Sequence, residues 1–295
     1  MGTRKVLILG GTGMLGHTLF IQLSKAAHLE VYATIRNPAP VSRRFPPELT
    51  GKIIDHVDAY DFAAVTRAID AVQPDVVINC IGLIKQLPAA GDPQAAISIN
   101  ALLPHRISSA CRAVGARMIH ISTDCVFDGK KGNYKESDHA CATDLYGRTK
   151  FLGEVSYPHC VTLRTSIIGH ELKGKVGLIE WFLARKGAVR GFTNAIYTGF
   201  PTVEMAHIIK DFVIPNPDLE GIYHVSSDPI TKYDLLKLVA QRYVKQIAIE
   251  PYPDVKLDRS LNSSLFRGVT GYVPPPWPEL VDKMYKNYIS STHYN

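Results

Sequence analysis

A short apolar run at residues 5–9 breaks into Gly10-Gly11-Thr12-Gly13-Met14-Leu15-Gly16, after which apolar residues recur at helical spacing. Glycines spaced G-x-x-G-x-x-G between a strand and a helix let the chain turn tightly and bring its backbone close to a ligand. A helix starting there aims free amides and the positive end of its dipole at that ligand, which favours a pyrophosphate. Gly10, Thr12, Gly13, Met14, Leu15 and Gly16 are therefore the expected cradle of a dinucleotide. A merely tight turn is the competing reading. The loop's place after the first strand of the chain argues against it.

Apolar, β-branched runs at 5–9, 30–35, 53–57, 76–79, 117–122 and 161–164 read as buried strands. Helical spacing occupies 15–26, 61–71, 104–114 and 145–154. This alternation predicts an α/β chain, with a Rossmann-like doubly wound parallel sheet covered on both faces. Beyond residue 164 the pattern loosens into helical pieces at 178–185, 203–212 and 232–243, with proline gathered at 215–217, 251–253 and 274–278. At 295 residues the chain exceeds what one core usually holds. A dinucleotide-binding domain over 1–165 and a smaller substrate-binding lobe over 166–295 are expected, with segments near 203–224 returning to the first. Ligands of such sheets bind in the crevice beyond the strand ends.

Composition removes other classes. With 46% hydrophobic and 20% charged residues the chain is globular, not disordered. No apolar run reaches the roughly 18 residues of a membrane helix, and the N-terminal run is too short for a signal peptide. A cytoplasmic protein without membrane partners is expected. Five scattered cysteines without a C-x-x-C pair, and eleven histidines without H-x-x-x-H spacing, predict neither a disulfide framework nor a metal. The net charge of +6 is scattered over the chain. That suits an enzyme handling anionic nucleotides better than a nucleic-acid partner, which would gather its basic residues on one face.

The end of the second strand chooses between NAD and NADP. An acidic residue there binds the ribose hydroxyls, whereas an arginine accepts the 2′-phosphate. Glu30 begins the strand and points away, while the strand ends Thr34-Ile35-Arg36, with Arg43-Arg44 soon after. A guanidinium fork suits phosphate, so NADPH is the expected cofactor. NADH stays open if Arg36 is only a solvated loop residue. Asp58, past the third strand, reads as an adenine contact or as an exposed turn aspartate. Cys80 and Gly82, past the fourth, are further cofactor candidates.

Tyr146 and Lys150 stand four apart in Tyr146-Gly147-Arg148-Thr149-Lys150, on one face of a predicted helix. A phenol has a pKa of about 10, and an ammonium within ~4–6 Å favours its phenolate by ~1–3 units. The pair is thus expected to exchange a proton near neutrality. Ser122-Thr123-Asp124 ends the fifth strand, where a hydroxyl can hold a substrate carbonyl.

On these residues the chain resembles the extended short-chain dehydrogenase/reductases and, within them, the dTDP-4-dehydrorhamnose reductases. The likeness runs through the glycine loop, residues 122–129 and 131–136, the Tyr146–Lys150 segment, Gly153-Glu154, Leu163-Arg164-Thr165, Gly199-Phe200-Pro201-Thr202, Gly221-Ile222-Tyr223-His224 and Arg259-Ser260-Leu261-Asn262-Ser263. It implies hydride transfer from a nicotinamide to the ketone of a nucleotide-linked 4-keto-6-deoxy sugar, in deoxysugar synthesis for surface polysaccharide. Thr123 would bind the carbonyl oxygen, Tyr146 would protonate the alkoxide, and Lys150 would hold the nicotinamide ribose and depress the tyrosine pKa. Asn100 resembles the asparagine that props the active-site helix. Relatives often form homodimers through helices of the sheet domain.

Cys125 departs from the pattern, because those reductases usually carry tyrosine there. Cys125 and His170 are similar in placement to the pair with which GDP-fucose synthases epimerise a sugar before reducing it. The alternative is a small buried cysteine and a loop histidine. Asp124, Trp181, Phe200 and Arg259 complete the expected substrate residues, the aromatics for a base and Arg259 for the diphosphate. The regulatory beta subunit of methionine adenosyltransferase resembles the same reductases, so a non-catalytic NADP-binding role also stands open.

Overall fold

The computed structural model describes residues 2–37, 45–85, 88–172, 174, 176–291 and 294. Its first strands are β1 (Arg4–Leu9), β2 (Leu29–Thr34), β3 (Ile53–Ile54), β4 (Val76–Asn79), β5 (Arg117–Thr123) and β6 (Cys160–Thr165). Then follow β7 (Ile167–Ile168), β8 (Ala188–Phe192), β9 (Ala195–Tyr197), β10 (Phe200–Pro201), β11 (Gly221–His224), β12 (Ile230–Thr231), β13 (Ala248–Tyr252) and β14 (Leu257–Asp258). The helices are α1 (Met14–Leu23), α2 (Phe62–Val72), α3 (Pro93–Ala96), α4 (Leu103–Ala113), α5 (Leu145–Leu152), α6 (Leu178–Ala184), α7 (Thr202–Ile208), α8 (Lys232–Arg242), α9 (Ser264–Thr270) and α10 (Trp277–Ile289).

Seven strands form one parallel sheet in the order β11-β6-β5-β4-β1-β2-β3. The order reverses between β1 and β4, and the glycine loop leaves β1 at that switch point. The two-residue period of β1 shows why the sheet must be covered twice. Val6 and Ile8 join the layer that holds Leu19, Phe20 and Leu23 of α1. Leu7 and Leu9 join the layer of Val65, Ile69, Leu103 and Ile107. A strand apolar on both faces is stable only when helices cover both.

β11 extends the sheet from beyond residue 165, and α7 returns with it to pack on α1, where the Thr18 hydroxyl donates to Thr202 Oγ1 at 3.1 Å. The rest of the second half builds the lobe from the β8–β13 pair, the β12-β9-β14 sheet and α6, α8, α9 and α10.

Three elements differ from expectation. β3 pairs over two residues only. The helix expected at 104–114 is the last part of a helical stretch beginning at Pro93, interrupted by a π-helical segment over Ile97–Leu102. Pro104 lacks the N–H that would close on the Asn100 carbonyl, which favours that irregularity. α10 was hidden behind the proline cluster. Pro276 is in fact its N-cap, and proline also occupies its first turn, where the missing N–H costs nothing. Among the described residues no helix is long and apolar enough to cross a membrane.

Candidate active site

The glycine loop is tightly packed. A Cβ on Gly16 would stand 2.1 Å from the Gly10 carbonyl oxygen, and one on Gly11 would stand 2.8 Å from the Ala33 Cβ. Gly10 has φ of +88°, which only glycine adopts freely. The amides of Gly10 and Gly11 donate to Thr34 Oγ1 (3.2 Å) and to the Thr34 carbonyl (2.8 Å), tying the loop to the end of β2. Gly13 is the N-cap of α1 and supplies no side-chain cap. The first amides of the helix are therefore left to an anionic group, which fits the pyrophosphate of a dinucleotide.

Cys80 and Gly82 lie on the neighbouring strand exit. The Cys80 amide donates to the Leu9 carbonyl at 3.0 Å, and burial pushes its thiol up to about 12, with Lys150 opposing. Asn100 is buried and clamps Leu83, accepting from its amide at 2.8 Å and donating to its carbonyl at 3.0 Å. Gly153 at the end of α5 passes so close that a Cβ there would lie 1.9 Å from the Asn100 carbonyl. The Asn100 backbone is thus in direct contact with the end of α5.

Arg36 is exposed just past β2, followed by Asn37. Glu30 is held at the far end of the strand by Lys52 and by the Tyr32 hydroxyl. Arg43 and Arg44 lie outside the described residues. Asp58 Oδ1 accepts from the Tyr60 amide at 3.0 Å, the turn role named above.

Tyr146 and Lys150 sit on α5, whose N-cap Asp144 accepts from the Gly147 amide at 2.7 Å. A Cβ on Gly147 would stand 2.2 Å from the Cys125 carbonyl oxygen, so only glycine lets the helix press on the 124–126 turn. That contact brings Tyr146 beside Thr123, whose hydroxyl accepts from the Cys125 amide at 3.1 Å and donates to Asp124 at 3.2 Å. Lys150 is buried and donates to the Ile121 carbonyl at 2.8 Å.

The electrostatics differ from expectation. Burial raises the Tyr146 phenol above its usual range, reinforced by Cys125, Asp124 and Asp144. Burial also lowers Lys150 to about 8, with Glu154 opposing. Burial thus favours the neutral phenol over the phenolate.

Of the substrate candidates, Asp124, Cys125 and Arg259 come together. Arg259 donates to the Phe127 carbonyl at 2.8 Å and reaches Cys125 Sγ at 3.6 Å. Burial, aided by Asp124, pushes the Cys125 thiol up to about 11. Two assignments, Phe200 and His170, need correction. Phe200 is fully buried, edge-on to Tyr272, because its short strand runs under the lobe, and it offers no surface to a base. Trp181 is half-buried, and the Arg185 guanidinium lies 5.0 Å from its ring centre. His170 is buried with both ring nitrogens engaged, Nδ1 with Glu180 at 2.5 Å and Nε2 with the Tyr243 hydroxyl at 2.8 Å. It is packed into the lobe and not presented to Cys125.

Two site residues escaped the sequence reading. Lys85 pairs with Asp144 at 2.5 Å and lies 5.8 Å from the centre of the Tyr146 ring. Asp144 had a signal, as a helix cap two residues before the tyrosine. Lys85 had none, being brought there only by the loop after β4. Behind the site, the buried Glu154 carboxylate takes both Arg164 Nε (2.8 Å) and NH2 (2.7 Å) as well as the Ser122 hydroxyl (2.6 Å).

The RmlD substrate binding domain model matches residues 4–290. The chain belongs to that family. Over 97% of its length it is 24% identical to methionine adenosyltransferase 2 subunit beta of Mus musculus, covering 91% of that protein. It is 36% identical to a dTDP-4-dehydrorhamnose reductase of Mycobacterium tuberculosis, but over 49% of this chain and 50% of that one. Among solved structures, a Bacillus anthracis dTDP-4-dehydrorhamnose reductase in complex with NADP superposes with a TM-score of 0.77 at 20% identity, covering 97% of this chain and 99% of that one. A hypothetical dTDP-4-dehydrorhamnose reductase from Sulfolobus tokodaii gives 0.75 at 25% identity, covering 92% and 98%. This member of the RmlD family therefore has the Rossmann-like fold of those reductases.

Proposed function

We propose that the protein is an NADPH-dependent reductase of a nucleotide-linked 4-keto-6-deoxy sugar. The observation that carries this is the placement of Tyr146 beside Thr123, with buried Lys150 one turn along α5 and the glycine cradle at the adjacent strand ends. NADPH, when bound, supplies the hydride to the carbonyl carbon. Thr123 and Tyr146 converge on the carbonyl oxygen, and Tyr146 gives its proton to the alkoxide as it forms. The Lys150 ammonium stabilises the phenolate left behind. Arg259 and Lys85 supply positive charge for the substrate's diphosphate. Arg36 favours NADPH over NADH through the 2′-phosphate.

Following NADPH absorbance against dTDP-, UDP-, GDP- and CDP-linked 4-keto-6-deoxy sugars tests this reading. Oxidation with one of them is expected. Failure with all, together with stabilisation of a partner protein, would instead support the regulatory role suggested by the subunit beta relatives. Such a reductase works in the cytoplasm, where its substrates are made.

Reduction proceeds without epimerisation, because Cys125 has a raised thiol pKa and His170 is engaged elsewhere. In deuterium oxide with an accepted sugar, enzyme should add no deuterium at C3 or C5 beyond the enzyme-free background. Incorporation above it restores the bifunctional reading.

We propose further that two copies pair through Ile97, Leu102, Phe151 and Leu152, which are exposed on neighbouring helical segments of the sheet domain. Sedimentation should show a dimer that Leu152→Glu weakens. A wild-type monomer at every concentration overturns it.

A further inference from the structure

Among the described residues beyond the end of α10, Tyr294 reaches the helix that follows the glycine loop. The Tyr294 hydroxyl lies 2.7 Å from Nε2 of His17, and the two rings meet edge-on at 5.6 Å. On the other side of the imidazole, Nδ1 lies 2.8 Å from the carbonyl oxygen of Gly13, which also accepts the His17 amide at 3.0 Å. His17 is fully buried. A carbonyl only accepts, so Nδ1 carries the proton and Nε2 accepts from the tyrosine.

The consequence lies in the peptide unit itself. The Gly13 carbonyl and the Met14 N–H belong to one planar trans group and point in opposite directions. Holding the oxygen with two donors aims the Met14 amide outward from the helix N-terminus, where a phosphate is favoured. Gly13 has no side chain to do this, and the helix has no side-chain cap.

Tyr294 is itself held in an aromatic cage. Its ring lies 5.3 Å from His170 and 5.6 Å from Tyr288, and those two stack at 4.1 Å. Glu180 and Tyr243 fix His170.

We propose that Tyr294 and His17 are positioning residues for the cofactor pyrophosphate, a relay by which the C-terminal segment orients the Met14 amide from a cage built in the lobe. The proposal rests on the reading that a nicotinamide dinucleotide occupies the glycine cradle, and its test has one arm that needs no cofactor. Tyr294→Phe keeps the ring and removes the bond to His17. In the protein without cofactor, hydrogen exchange should quicken in the first turn of α1, at the His17 amide above all, and not across the lobe.

The NADPH dissociation constant should rise roughly five- to tenfold, the scale of one buried hydrogen bond, with KM for an accepted sugar unchanged. His17→Phe should act in the same direction, and the double variant should be no worse than the more impaired single. Unchanged exchange at the first turn, unchanged NADPH affinity, or quickening spread evenly over the molecule each overturns the relay. A wild-type protein that binds neither NADPH nor NADH would count against the proposed function, and the exchange arm then decides whether the relay orients the loop.

Discussion

In the proposed mechanism, Tyr146 is the residue on which the chemistry turns. Burial raises its phenol pKa, and the proposal has it enter the reaction as an acid. Tyr146→Phe should lower turnover by ~10²–10⁴-fold, the usual contribution of a positioned general acid, while NADPH binding measured by fluorescence survives. Near-normal turnover would remove Tyr146 from the mechanism. Arg36 is exposed and adjoins the strand end that discriminates cofactors. Arg36→Ala should therefore weaken NADPH and leave NADH nearly unchanged in direct titrations. Equal losses for both would show that the guanidinium meets no 2′-phosphate.

At the scale of elements, the site exists because α5 is pressed against two backbones. Gly147 meets the Cys125 carbonyl, and Gly153 meets the Asn100 carbonyl. A methyl group at either glycine cannot be absorbed by a side-chain rotation, since the obstacle is main chain. Gly147→Ala should push the N-terminal half of α5 away from the 124–126 turn. Turnover should then fall by at least tenfold, on the scale at which about 1.4 kcal/mol of misplacement acts on a barrier. NADPH affinity should suffer less, because the glycine loop belongs to a different element. Parallel losses in both would mean that α5 simply fails to pack.

At the scale of the molecule, buried histidines make stability depend on pH. Burial, reinforced by Arg164, lowers His224 to about 4, while its ring takes a bond from Arg164 at 3.2 Å and bonds the Tyr134 carbonyl at 2.9 Å. Unfolded, the same ring has a pKa of about 6.5. The folded state thus binds fewer protons, and the stability this contributes is present above about pH 6.5 and lost as pH falls towards 4. Near pH 5 the loss should be about 2 kcal/mol. His120, fully buried and likewise lowered, acts in the same direction. Denaturant titrations at pH 7.5 and 5 check this, and equal midpoints would contradict it.

What the amino-acid sequence alone determined is local or periodic. The glycine spacing after β1, the two-sided apolar strands and the Tyr146–Lys150 spacing each follow from backbone geometry over a few residues, and each is where it was expected. Tertiary structure decided whatever depends on which faces meet. His170 and Phe200 look like site residues by position along the chain, yet the folded lobe gives one to Glu180 and Tyr243 and buries the other. Lys85 carries no local signal and reaches Tyr146 only because the loop after β4 ends beside α5. The burial of the Tyr146 phenol is likewise a matter of which faces meet, and it raises a pKa that spacing along the helix does not speak to.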